Sequence, residues 1–161
     1  MESLFCFGNG SIREAEWTFI VSKCKAKNVK TVLEIGSGYS TLLFMDLLYK
    51  IDSFETEISF IKLLNSLISK DLVTLYKYNY PKFPITNTKY DVAFVDGPGQ
   101  RVNFDGRKSS MIFAKELSDC IFVHDCRRKE EKESIGEVFS QEEWDFSYKE
   151  SLLLLERKQN V

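Results

Sequence analysis

The stretch TVLEIGSGYS at positions 31–40 constrains the chain more than any other. Thr31, Val32, Leu33 and Ile35 are β-branched or apolar, as suits a strand buried on both faces. Gly36-Ser37-Gly38 breaks that strand. Ser40 and the apolar run Leu42-Leu43-Phe44-Met45 then read as the cap and first turns of a helix. A strand, a glycine-rich turn and a helix N-terminus form a site for a nucleoside ligand, because glycine admits close approach and free N–H groups point outward.

The dinucleotide pattern Gly-x-Gly-x-x-Gly requires a third glycine at position 41, where this chain has Thr41. Glu34 sharpens the choice. A carboxylate two residues before the turn would repel a pyrophosphate. It suits the cationic amino group of S-adenosylmethionine, whose sulfonium is also cationic and which carries no phosphate.

Strands and helices alternate along the rest of the chain. A helix is expected from Ser11, with Glu14 completing a capping box, to about Lys27. Strands are expected at 51–56, 72–78, 90–95 and 120–123. Helices are expected at 58–69, from Gly106 to about Leu117, and at 128–143. Two strands, around 146–148 and 152–156, close the chain. This alternation predicts a three-layer α/β, Rossmann-like fold with a mostly parallel sheet and one antiparallel strand near the C-terminus. The 161 residues suit a single domain, with an N-terminal segment and helix at 1–28 and an α/β core at 29–161.

Composition narrows the partners. A net charge of −2 argues against an obligatory nucleic-acid surface. No stretch is long enough to span a membrane, and the N-terminus lacks the pattern of a secretory signal, so a cytoplasmic location is expected. Cys6, Cys24, Cys120 and Cys126 show neither CxxC nor zinc spacing and read as incidental free thiols.

Ligands of such a sheet lie beyond the C-terminal strand ends. There the chain places Glu34, Gly36, Gly38 and Ser40, then Glu55, Asn79, Asp96 and the pair His124-Asp125. Glu55 follows Gly36 by about 20 residues, the spacing of an acid that binds ribose hydroxyls. The Asn79 amide is placed to face an adenine amine or to shape a turn. Asp96 enters a Gly-Pro-Gly turn and is expected beside the methionine end of the cofactor. His124 is the chain's single histidine, set at the mouth of a buried strand. Asp96 or His124 serves as general base for an acceptor hydroxyl. Alternatively, Asp96 and Asp125 bind a divalent cation that lowers the acceptor's pKa. Arg101, Arg107, Arg127 and Arg128 flank the same edge. As a group they suggest an acidic acceptor, with Arg101 and Arg107 as its readers.

Taken together, GSGYSTL, Glu55, DVAFVDGPGQ, GRKSSMIFAKEL and IFVHDCRR resemble a class I S-adenosylmethionine-dependent methyltransferase. More narrowly, they resemble the glucuronoxylan 4-O-methyltransferase-like family of polysaccharide-modifying proteins. The resemblance implies a cofactor role for Glu34, Gly36, Gly38 and Glu55, and places Asp96, His124 and Asp125 near the acceptor. It also implies a small-molecule or saccharide hydroxyl as acceptor, with arginine reading a uronate. Asp96 with Asp125 is similar to the metal-bearing strand ends of catechol-type O-methyltransferases. The rival readings are a non-catalytic adenosyl-ligand-binding module that acts through a protein partner, and an NAD-dependent enzyme. So small a domain leaves room for a homodimer that closes the site.

Overall fold

A computed structural model describes residues 12–99 and 105–159. The elements run α1 (Glu14–Ala26), β1 (Thr31–Ile35), α2 (Tyr39–Asp46), β2 (Lys50–Glu55), α3 (Ile58–Leu64), β3 (Val73–Lys77), β4 (Val92–Val95), α4 (Lys108–Leu117), β5 (Cys120–Val123), α5 (Lys129–Val138), β6 (Trp144–Lys149) and β7 (Leu152–Arg157). The seven strands form one sheet in the order β3-β2-β1-β4-β5-β7-β6. β1 to β5 pair in parallel, whereas β7 runs antiparallel to both β5 and β6. β7 is thus the single reversed strand, as the sequence predicts.

The central strands alternate between two apolar layers. Leu33, Ile35, Ala93, Val95, Ile121 and Val123 face the side covered by Met111, Ala114 and Leu117 of α4 and Ile135 of α5. Val32, Val92, Phe94 and Phe122 face the side covered by Ile20 and Cys24 of α1 and Phe44 of α2. Glu34 shares that second side by the period of the strand, an acid where the pattern calls for a hydrophobe.

Several helix ends differ from the sequence reading. Ser11 lies outside the described residues, and Glu16 rather than Glu14 closes the start of α1, accepting from Arg13 N at 3.0 Å. α2 begins at Tyr39 with Gly38 at its cap position. Ser40 is therefore inside the helix and does not cap it. α3 ends at Leu64 and α5 at Val138, each shorter than the expected ranges of 58–69 and 128–143. In α3 only Leu64 is buried, and Ile58 and Leu67, apolar residues at helical spacing within the expected range 58–69, are exposed. Among the described residues, no helix is long and apolar enough to cross a membrane. Cys24, Cys120 and Cys126 are buried free thiols, and burial pushes them up to about 12, 11 and 11, which suppresses the reactive thiolate.

Candidate active site

The sheet order reverses between β1 and β4, so the crevice at their C-terminal ends is a topological switch point. Two backbone turns meet there. Gly36 has φ of +95°, and a Cβ on it would stand 2.6 Å from Gly97 N. A Cβ on Gly97 would stand 2.5 Å from Gly36 Cα. Both positions need glycine because each backbone fills the space of the other's side chain. Gly38 differs. Its φ of 176° suits any residue, and a Cβ there would meet no protein atom within 4 Å.

Glu34 organises this turn from below. It is fully buried, and its Oε1 accepts from Ser40 Oγ at 2.5 Å. Its Oε2 accepts from Thr41 Oγ1 at 2.6 Å and from Ser53 Oγ at 2.5 Å. Ser53 is its register partner in β2. Thr41 Oγ1 in turn accepts from Gly38 N at 2.9 Å, which fixes the turn residue to the first turn of α2. Burial pushes the Glu34 carboxyl up to about 7 against the opposing effect of its three hydroxyl donors.

Above the turn lies a cavity of about 250 Å³, lined by Gly36 to Ser40, Glu55, Glu57, Phe60, Asp96, Gly97, Gly99 and Ile12. Its ionisable lining is acidic: Glu55, Glu57 and Asp96, with no lysine or arginine among the described residues. Glu55 ends β2. Its Oε2 accepts from Ser37 N at 3.0 Å, and its Oε1 accepts from Thr56 N at 2.6 Å and Glu57 N at 2.8 Å. These bonds aim the carboxylate at the edge of the cavity and tie β2 to the glycine turn.

The acceptor-side residues form one charged network. Asp96 Oδ1 stands 3.0 Å from His124 Nδ1 and 3.3 Å from Arg107 Nη1. On the far side of the ring, His124 Nε2 stands 3.3 Å from Glu16 Oε2. Glu16 is itself buried and accepts from Ser151 N at 2.9 Å and Ser151 Oγ at 2.6 Å. Burial alone would lower the His124 pKa, but the bond to Asp96 and the charges of Asp96, Asp125 and Glu16 outweigh it and raise it. Both ring nitrogens of His124 thus face carboxylates, Nδ1 toward Asp96 and Nε2 toward Glu16. This geometry opposes the general-base role the sequence offered it.

The structure sorts the other sequence candidates. Gly36, Gly38, Ser40, Glu55 and Asp96 line the cavity, whereas Glu34 lies beneath it and His124 and Asp125 lie behind Asp96. Asn79 is exposed after β3, and its carbonyl accepts from Lys82 N at 2.9 Å in a local turn. It stands apart from the lining. Arg107, expected to face an acidic acceptor, is 3% exposed and turned inward. Its guanidinium reaches Asp96, Asp125 at 3.4 Å, Glu131 at 3.8 Å and the His124 carbonyl at 3.1 Å. Arg128 likewise pairs with Asp125, at 2.8 Å. Arg101 lies outside the described residues.

Glu16, Glu57 and Phe60 are site residues that sequence reasoning missed. Glu57 and Phe60 follow Glu55 closely and were readable from that proximity. Glu16 stands far from His124 in sequence, and no local pattern links them.

No family model matches the chain, and no curated protein matches it. Solved structures do. It is similar to an O-methyltransferase from Klebsiella pneumoniae at 12% identity and a TM-score of 0.69, over 94% of this chain and 84% of that one. A caffeoyl-CoA O-methyltransferase from Staphylococcus aureus, as that structure is described, aligns at 15% identity and a TM-score of 0.68, over 91% and 85%. An SAH-bound methyltransferase from Podospora anserina aligns at 17% and 0.65, over 97% and 83%. At such identities the likeness shows the fold alone: this chain has the Rossmann-like fold of these methyltransferases.

Proposed function

We propose that the chain is an S-adenosylmethionine-dependent methyltransferase that acts on oxygen. One observation carries the reading: the cavity at the switch point is lined by Glu55, Glu57 and Asp96 with no basic residue among its described lining. That lining favours a ligand with an ammonium and a sulfonium and no phosphate, and disfavours a dinucleotide pyrophosphate. The SAH bound to the similar Podospora protein supports the same ligand. S-adenosylmethionine supplies an electrophilic methyl on a sulfonium.

The chain's residues divide the remaining work. Glu55 accepts from ribose hydroxyls at the edge of the cavity. The backbone at Gly38 admits close approach of the ligand. Glu34 supports this from beneath by holding Ser40, Thr41 and Ser53, a positioning role in place of the direct contact read from sequence. Asp96 faces the cavity and receives the acceptor's proton, while Arg107 and His124 fix its orientation. In-line placement of acceptor oxygen, methyl carbon and sulfur supplies much of the rate.

The acceptor is a small-molecule or saccharide hydroxyl. The inward turn of Arg107 removes it as a reader of an acidic sugar. The test is transfer of labelled methyl to a panel of catechols, simple sugars and uronate oligosaccharides. Wild type labels one class. Asp96→Asn, whose Oδ1 still accepts from His124, still binds S-adenosylhomocysteine but turns over at least about 100-fold slower. Undiminished turnover by Asp96→Asn removes Asp96 as the base. Cofactor binding with no transfer to any acceptor favours a binding module.

A further inference from the structure

We infer that Arg107 is the resident cation of this site, its guanidinium standing where a divalent ion would bind between Asp96 and Asp125, so that the chain works without a metal. Only the catalytic half of this inference rests on the methyltransferase reading.

Asp96, His124 and Asp125 each offer one ligand atom, and these atoms lie within 4.8 Å of one another. By composition alone the trio could hold an ion. The facing oxygens, Asp96 Oδ1 and Asp125 Oδ2, already meet a cation, and the space between them is filled. Arg107 Nη1 stands 3.3 Å from Asp96 Oδ1 while Nη2 stands 3.4 Å from Asp125 Oδ2. One planar fork therefore spans both carboxylates. A divalent cation bound to those oxygens at about 2.0–2.6 Å would press against a guanidinium of like charge. Asp125 Oδ2 also takes Arg128 Nη2 at 2.8 Å. His124 Nδ1 faces Asp96 Oδ1 at 3.0 Å, and against a carboxylate oxygen the favourable arrangement is N–H donating to it, which leaves no Nδ1 lone pair for a metal.

The backbone fixes the guanidinium as firmly as its partners do. Arg107 has φ of 60° and Asp125 φ of 57°, both left-handed. Left-handed non-glycine residues persist where surroundings over-determine them, and here two of them face each other. Gly106, also left-handed, packs so tightly on α5 that a Cβ would stand 2.1 Å from Glu130 O. The arm leaves from a fixed Cα. Its Nε lies 3.4 Å from the Pro98 carbonyl and 3.8 Å from Glu131 Oε1.

A guanidinium differs from a metal in what it does. It supplies positive charge and two fixed donors, but it does not bind a hydroxyl and lower its pKa as an ion does. The proton of the acceptor then goes to a side chain of the cavity, and of its carboxylates Asp96 is the one paired with Arg107.

The test is titration of the folded protein with Mn²⁺, read by loss of the free-ion paramagnetic signal, with no turnover involved. Wild type is expected to bind no ion stoichiometrically up to about 1 mM, the weak end of biological oxygen-ligand sites. Arg107→Ala, folded by circular dichroism, is expected to gain one ion per chain, and Arg107→Ala/Asp125→Asn to lose it. Stoichiometric Mn²⁺ binding by wild type that Asp125→Asn abolishes would overturn the inference, whether or not Arg107→Ala folds. A folded Arg107→Ala that gains no site would overturn it too. A protein that neither binds Mn²⁺ nor transfers methyl sinks the methyltransferase reading and leaves the exclusion of the ion standing.

Discussion

Replacing Glu34 by glutamine isolates a carboxyl that the fold holds against ionisation. Burial raises Glu34 from an ordinary 4.5 to about 7, with the hydroxyls of Ser40, Ser53 and Thr41 working the other way. Its folded pKa lies above its unfolded one. The contribution to stability is therefore fully present below about pH 4.5 and is lost as pH rises through 7. Each pKa unit is about 1.4 kcal/mol, so the loss between pH 4.5 and pH 8 amounts to about 3 kcal/mol. Glutamine keeps the shape and does not titrate. Its oxygen still accepts from Thr41 and Ser53, and its amide can donate to Ser40 Oγ, which then turns to accept. Urea unfolding of both proteins across this range, with m-values checked for constancy, gives the difference directly. Wild type should lose about 3 kcal/mol relative to Glu34→Gln as pH rises. A difference that stays level from pH 4.5 to pH 8 would refute the reasoning, because it would mean that the buried carboxyl ionises as freely as an exposed one.

The two turn glycines separate packing from binding. Gly97→Ala forces a Cβ to 2.5 Å from Gly36 Cα and should cost about 3 kcal/mol in urea unfolding. Gly38→Ala meets no protein atom and should keep the wild-type midpoint, yet weaken S-adenosylhomocysteine about tenfold or more in calorimetry. Glu16→Ala should cost about 3 kcal/mol, since it leaves the His124 ring and Ser151 N without their buried acceptor. In wild type, burial tends to raise the Glu16 pKa, but the Ser151 and Arg13 bonds outweigh it and lower it, so that stability is present above pH 4.5 and fades in acid below it.

The fold was legible in the sequence because its signals are local and repeated. Thr31 to Ile35, Val92 to Val95 and Cys120 to Val123 each read as buried strands, and the reversed β7 followed from two strands closing a βα series. Strand ends also told which acids gather at one edge, since in a parallel sheet that edge is common to all of them. What remained hidden was the direction in which a side chain turns. Glu34 is readable as an acid at the turn, but not as one enclosed by three hydroxyls, because Ser53 comes from β2 and Ser40, by its place before an apolar run, reads as a cap. Arg107 reads in the sequence as a guanidinium that faces an acidic acceptor. Its burial depends on Asp125, just after β5, and Glu131 of α5, which only the packing of α4 against these elements brings to it. Gly97 read as part of a turn, while its contact with Gly36 exists only between strands. Helix ends failed where exposed apolar residues such as Ile58 and Leu67 imitate an inward face.

The most direct test of the central claim is calorimetric titration of the wild-type chain with S-adenosylhomocysteine, alongside NAD. The acidic cavity at the switch point predicts micromolar binding of the adenosyl ligand at one site per chain and none of the dinucleotide. Folded protein that fails to bind S-adenosylhomocysteine, or that prefers NAD, would contradict it.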